Sequence, residues 1–329
     1  MSVVRRTGDM DRLLAGFGVA IVDIQALRAA RGAWSENTKR ALRSDLEIFG
    51  NWCVRNGLQV LPARAETVAR FVESVARERA PATLKRYVSN ISALHKASGY
   101  AKPSDAAAVR LVLQYMQRHK DCRQRQALGL TWEMRDRMIA ATGGRLPDLR
   151  NRALLAVMYD AMLRGAELVA LEVSDLSEPK DGGATLLVRR SKTDQTGEGT
   201  EVYLTPNTLK LLREWLEQAR IRGGRIFRSI RPNGLLGRSL DVRQVSRIFK
   251  KMARQAGFDK EVVDSLSAHS ARIGATQDMI ASDFGLAAVM QAGRWKTASM
   301  VLRYGERLLV QRGGAARFAR LKAKQHASG

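Results

Sequence analysis

Between residues 20 and 120 the apolar positions recur at helical spacing, and glycine or proline punctuates each run. In SENTKRALRSDLEIFGNWCVRNG, Leu42, Leu46, Phe49 and Cys53 fall three or four residues apart behind polar cap candidates, and Gly57 ends the run. AETVARFVESVARER predicts a second helix. PATLKRYVSNISALHKASG predicts a third that begins on proline and stops at glycine, and AAAVRLVLQYMQRHK a fourth. HKDCRQRQ breaks the pattern: it is polar, basic and nearly free of apolar residues, which makes residues 121–126 a linker. Beyond it, TWEMRDRMIAATG and DLRNRALLAVMYDAMLRGAELVAL read as helices, the second running through Arg164 and Glu167. ATLLVRR and TEVYLT are β-rich runs joined by SKTDQTGEG, a hairpin. TLKLLREWLEQAR, DVRQVSRIFKKMARQAG, AHSARIGATQDMIAS and LAAVMQAG return to helix. The pattern therefore predicts a mainly α protein. An N-terminal arm (1–20) precedes a helical domain (21–120), and after the linker a mostly helical second domain (127–329) carries a small antiparallel β-sheet. There is no internal repeat.

Charge changes this picture more than length does. The 329 residues include 56 lysines and arginines against 32 acidic residues, a formal charge of +24. Residues 1–125 hold 22 basic and 11 acidic residues, net +11, and the remainder 34 and 21, net +13. The excess thus belongs to both domains and not to a tail, which points to a polyanionic partner. Nucleic acid is favoured ahead of an anionic membrane, with the two halves closing around it as a clamp; a basic architectural protein is the blander reading. Basic residues recur in separate helices: Lys39, Arg40 and Arg43 in the first, Lys85, Arg86 and Lys96 in the third. These are candidates for phosphate contact. Arg243, on a helix with an apolar side of Val242, Val245, Ile248 and Phe249, is a candidate for base readout.

Cys53 and Cys122 stand apart without a CxxC, and the four histidines form no ligand-like cluster. A reduced, cytoplasmic protein with no metal or other cofactor is expected. LLAGFGVAIV follows two arginines, but Asp9, Asp11 and Arg12 intrude and no convincing cleavage site follows, so it reads as N-terminal helix or arm, not as a signal peptide. No other stretch approaches transmembrane length.

Several residues could carry chemistry, and each alone has an ordinary explanation. Arg164 and Glu167 are three apart, as in a local ion pair; Lys192 opens a hairpin loop; His269 and Arg272 are again three apart, so both can face one object. Trp295 and Tyr304 follow nine residues apart. Taken in order, this set resembles the tyrosine recombinases, the phage-integrase family of site-specific DNA recombinases. LRGAEL is similar to the family's first arginine motif, RSKTD to its lysine hairpin, and HSARIGATQDM and MQAGRWKTASMVLRY to its last two boxes. HSAR, MQAG and YVSNISALHKASGYAKPSD resemble most its Cre recombinase subgroup, which also has tryptophan at the position of Trp295. The resemblance runs from about Ala26 to the C-terminus. Arg294 departs from it, replacing a common small or polar residue, with a consequence expected only for local packing.

The resemblance implies a helical DNA-binding domain and a catalytic domain. Separately, GGAARFARLKAK offers a short helix with an apolar side of Ala315, Phe318, Ala319 and Leu321, set off by Gly313 and Gly314. This helix is expected to dock on a neighbouring copy, with folding back in cis as the alternative. The resemblance implies Tyr304 as nucleophile, Arg164 and Arg272 as a phosphate clamp, Lys192 as acid on the leaving oxygen and His269 as proton acceptor or hydrogen-bonding partner. Trp295 would offer its indole N–H to the phosphate and Glu167 would orient its neighbours. It further implies a 3′-phosphotyrosine, a Holliday junction, and a homotetramer on two DNA duplexes with inverted half-sites. A type IB topoisomerase and a non-catalytic DNA-binding regulator are the alternatives.

Overall fold

A computed structural model describes residues 7–19, 25, 36–119, 126–178, 183–189 and 199–327. The chain divides into two compact units, Met1–Arg125 and Gln126–Gly329, and the division falls inside the stretch expected as linker.

The first unit contains α1 (Thr7–Gly16), α2 (Glu36–Arg55), α3 (Ala65–Ala76), α4 (Pro81–Ala97) and α5 (Ala107–His119). Leu42, Leu46, Phe49 and Cys53 line one face of α2 and are buried against Phe71 and Val72 of α3 and Leu84, Tyr87 and Ile91 of α4. Phe49 meets Phe71 edge to face with ring centroids 5.1 Å apart, the arrangement the ring quadrupoles favour. Within the stretch expected as an arm, α1 buries Met10 and Leu14 in this same core. Burial pushes the Cys53 thiol up to about 12, so it packs as an inert apolar group. His95 is buried between the N–H of Ala63, which donates to its Nε2 at 2.8 Å, and the carbonyl of Ile91, which lies 2.8 Å from its Nδ1. Those partners fit a neutral ring protonated on Nδ1, and burial lowers its pKa accordingly.

The second unit opens with α6 (Trp132–Ala140) and α7 (Leu146–Asp160). Residues 153–159 of α7 are buried all round, which places this helix at the centre of the unit. The short α8 (Gly165–Ala170) leads to an antiparallel sheet of β1 (Leu176–Ser177), β2 (Ala184–Val188) and β3 (Thr200–Leu204), in that order. Val188 pairs with Thr200 and Ala184 with Leu204, as a hairpin requires. There follow α9 (Pro206–Gln218), α10 (Val242–Gln255), α11 (Lys260–Ser265), α12 (Ser270–Ala281), α13 (Leu286–Gly293), α14 (Ser299–Arg312) and α15 (Gly314–Ala327). Trp215 of α9 is fully buried and its indole N–H donates to the carbonyl of Ile226 at 3.0 Å. The fold is mainly α with one small antiparallel sheet.

The helix expected through 148–171 is in fact two. α7 stops at Asp160, Met162 takes a left-handed backbone (φ 46°), and Arg164 is the extended N-cap of α8. No proline marks this break, and the nearest glycine, Gly165, comes only after it as the first residue of α8. Its cause is tertiary: Arg294 Nη1 donates to the carbonyl of Ala161 at 2.8 Å and Arg272 Nη1 donates to that of Met162. Two guanidiniums thus satisfy carbonyls freed at the end of α7. They come from the segments that build the site.

Candidate active site

Four elements converge on the turn between α7 and α8. At the N-cap of α8, Arg164 donates from Nη1 to Glu167 Oε1 at 2.6 Å, while its backbone N–H donates to Glu167 Oε2 at 3.0 Å. The three-residue spacing therefore makes a cap as well as an ion pair. Arg272, from the first turn of α12, is 1% exposed. Its two terminal nitrogens donate to the carbonyls of Met162 and Gly293, and its guanidinium lies 4.5 Å from the centre of the Trp295 ring. Burial, then Arg164 and Arg294, lower its pKa to about 10. It is still cationic at neutral pH, held rigidly by carbonyls and an indole face.

Trp295 also packs against the nucleophile candidate: its ring and that of Tyr304 meet edge to face at 5.8 Å. Tyr304 is half-buried in the middle of α14. Gln277 of α12 holds that helix by donating from Nε2 to the carbonyl of Tyr304 at 3.1 Å. A Cβ on Gly293 would lie 2.1 Å from a carbon of the Trp295 ring, so the indole's seat requires glycine there. His269 is the N-cap residue of α12. Its outer side is exposed, but the packed side of the ring loses water, and this, ahead of Arg272 and Arg164, lowers its pKa; Glu167 opposes the shift.

The structure thus gathers Arg164, Glu167, His269, Arg272, Trp295 and Tyr304, whereas Lys192, in the connection between β2 and β3, lies outside the described residues. It adds a residue to which the sequence assigned no more than local packing. Arg294 donates from Nη2 to Glu167 Oε2 at 2.7 Å, with its side chain 7% exposed. It does so from a left-handed backbone (φ 53°, ψ 47°) that costs a residue with a Cβ about 1–2 kcal/mol. The only signal in the sequence was an arginine beside the tryptophan. Two guanidiniums, those of Arg164 and Arg294, bond this one carboxylate. Arg272 bonds backbone carbonyls instead but lies close enough to feel all three, an excess of positive charge that suits a phosphate. Among the described residues no group of histidine, cysteine, aspartate and glutamate could hold a metal ion, and no helix is long and apolar enough to cross a membrane.

The candidates for DNA contact lie elsewhere. Lys39, Arg40 and Arg43 occupy the first turns of α2, and Lys85 and Arg86 those of α4, with Lys96 at the far end of α4. Arg86 grips the buried Asp45 with both Nε (2.8 Å) and Nη2 (3.0 Å), so it ties α2 to α4, while about half of its own side chain stays exposed (51%). Arg243 stands exposed at the start of α10, where it pairs with Asp241, the helix N-cap, at 3.1 Å.

A mainly helical fold that gathers these arginines, a tryptophan and a tyrosine in one unit agrees with the class the sequence resembles, the tyrosine recombinases. Residues 130–308 match the model of the phage integrase family, and the chain belongs to that family. It is 30% identical over 293 residues to "Recombinase cre" of Escherichia phage P1, covering 83% of this chain and 85% of the phage protein. It is 28% identical over 302 residues to an integrase/recombinase xerD homolog of Selenomonas ruminantium, covering 87% and 86%. Among solved structures, the XerH site-specific recombinase bound to a palindromic difH substrate in a post-cleavage complex matches in fold. Its TM-score is 0.59 at 15% identity, over 84% of this chain and 78% of that one.

Proposed function

We propose that the chain is a site-specific recombinase that cuts and rejoins DNA through a 3′-phosphotyrosine and a Holliday junction, with no metal, ATP or other cofactor. The observation that carries this reading is the stack Arg272–Trp295–Tyr304, with cation and indole 4.5 Å apart and the two rings 5.8 Å apart. Through the indole it links the phenol ring to a rigid, buried guanidinium.

Cutting a phosphodiester without a metal requires that charge on phosphorus be stabilised and that a poor alkoxide leave. Arg164 and Arg272 clamp the non-bridging oxygens; loss of one preorganised donor of this kind costs about 10²–10³ in rate. The Tyr304 oxygen attacks phosphorus and its proton passes to His269. The bond from phosphorus to the 5′ oxygen breaks, and Lys192 protonates that oxygen. Trp295 offers its indole N–H to the phosphate, and Glu167 orients Arg164. One phosphoester replaces another, so the reverse attack by a 5′ hydroxyl of a second duplex needs no energy source.

The partner in this reading is double-stranded DNA with inverted half-sites, in the cytoplasm, bound by a homotetramer across two duplexes. Lys39, Arg40, Arg43 and Lys85 contact phosphates, with Arg86 bracing their helices, and Arg243 reads bases. The palindromic difH substrate of the XerH complex supports such half-sites. Phe318 and Leu321 of α15, 61% and 55% exposed, support a docking helix that packs on a neighbouring copy. The test is to supply two labelled duplexes that carry the cognate site. Joined recombinant duplexes support the proposal; relaxation of supercoils without joining marks a topoisomerase, and binding without cleavage marks a regulator.

A further inference from the structure

None of the steps above uses Arg294, yet it is built into the site at a cost. Its backbone is left-handed, at φ 53° and ψ 47°, where glycine would rest without strain. Its side chain is 7% exposed and reaches two partners, the carbonyl of Ala161 (2.8 Å) and Glu167 Oε2 (2.7 Å). Its Nε is buried with no hydrogen-bond partner. A strained backbone and an unsatisfied buried donor persist where the surrounding contacts outweigh them. The contact that does so here is Glu167.

That carboxylate is 4% exposed and lies between two guanidiniums. Arg164 approaches through Nη1 at 2.6 Å and is 20% exposed; among the described residues no hydrogen bond engages its Nε or Nη2. Arg294 approaches from the inside. With Arg164 as sole partner, the buried carboxylate would form a pair of zero net charge, and Arg164 would offer a phosphate little attraction. With Arg294 in place, one negative charge faces two positive ones, and the surplus rests on the arginine that retains some exposure.

We infer that Arg294 is a positioning residue for phosphate binding: it neutralises Glu167 from within the protein, so that Arg164 presents an uncancelled positive charge to the scissile phosphate. The inference rests on the reading of this pocket as the phosphoryl-transfer centre. It attributes to Arg294 no contact with DNA.

Three variants separate this role from packing. Arg294→Gly removes the cation and relieves the backbone, Arg294→Met removes the cation and keeps bulk, and Arg294→Lys keeps the charge. Each is first checked for an unchanged melting profile. Single-turnover cleavage is then measured on DNA with an ordinary scissile phosphate and on DNA with a neutral methylphosphonate there. The glycine and methionine variants should slow phosphate cleavage by about 10–100-fold, less than loss of a direct donor. The deficit should shrink to about threefold or less on methylphosphonate, where less charge develops, and lysine should recover most of the rate. Equal slowing on both substrates would show a packing role and overturn the inference, as would rates like the parent's.

A second readout does not depend on cleavage. In a Tyr304→Phe background, Arg294→Met should weaken binding of the site and lower the slope of log affinity against log salt by about 0.9, the loss of one phosphate contact. It should add nothing once Arg164→Ala is present. Unchanged affinity and slope would overturn the inference by themselves. A parent chain that never cleaves would count against the proposed function alone.

Discussion

At the N-cap of α12, His269 has a pKa lowered first by loss of water on its packed side and then by Arg272 and Arg164. To accept the Tyr304 proton the ring must be neutral, and a lowered pKa keeps it neutral further into acid than an ordinary imidazole with pKa about 6.5. Cleavage at sub-saturating DNA reports the free enzyme, and its rate should stay level as pH falls through about 6.5 and decline only below. A decline centred at or above that value would contradict the assignment. Most of this site was legible because its residue types are conspicuous: arginines, a histidine and two scarce aromatics, spaced in family order. Arg294 was not, because an arginine in place of a small residue reads as a packing change until its left-handed backbone and its bond to Glu167 are seen. The bracing contact of Arg86 was likewise not legible, since its aspartate lies 41 residues away.

Between elements, the site depends on how closely α12 lies on the segment that leads into α6 and on that helix's first residue. The N–H of Leu130 donates to the carbonyl of Ser270 at 2.8 Å, and that of Trp132 to Asp278 at 2.7 Å. A Cβ on Gly274 would stand 1.7 Å from the carbonyl oxygen of Leu130. Backbone cannot yield as a flexible side chain does, so Gly274→Ala must push α12 away, and with it His269 and Arg272. The expected cost is about 1–3 kcal/mol of stability, read from urea unfolding, with slower cleavage alongside. An unchanged midpoint would show that α12 has room. Elements of strong period were readable from sequence: α2 and α4 in the first unit, α9 and α10 in the second, and the hairpin of β2 and β3. The break between α7 and α8 was not, because the helix ends where Arg272 and Arg294 reach its carbonyls, contacts made across 110 and 133 residues. The two-residue β1 was too short to leave a pattern.

For the whole molecule, net charges of +11 on residues 1–125 and +13 on the rest mean that neither unit is a neutral bystander. Each has its own buried core, and each, expressed alone, should bind site DNA with an affinity that falls as salt rises. Salt titration of the two pieces checks this, and a unit without salt-sensitive affinity would remove it from the DNA-binding account. The central claim, that Tyr304 attacks phosphorus, is tested most directly with a duplex nicked close to the cleavage point, from which the short 5′ fragment diffuses away. With EDTA present, the chain should become covalently attached to the 3′ end of the DNA and remain so after denaturation, and Tyr304→Phe should abolish the attachment while it leaves binding intact. A denaturation-resistant adduct that persists in Tyr304→Phe, or none from the unaltered chain bound to its site, would contradict it.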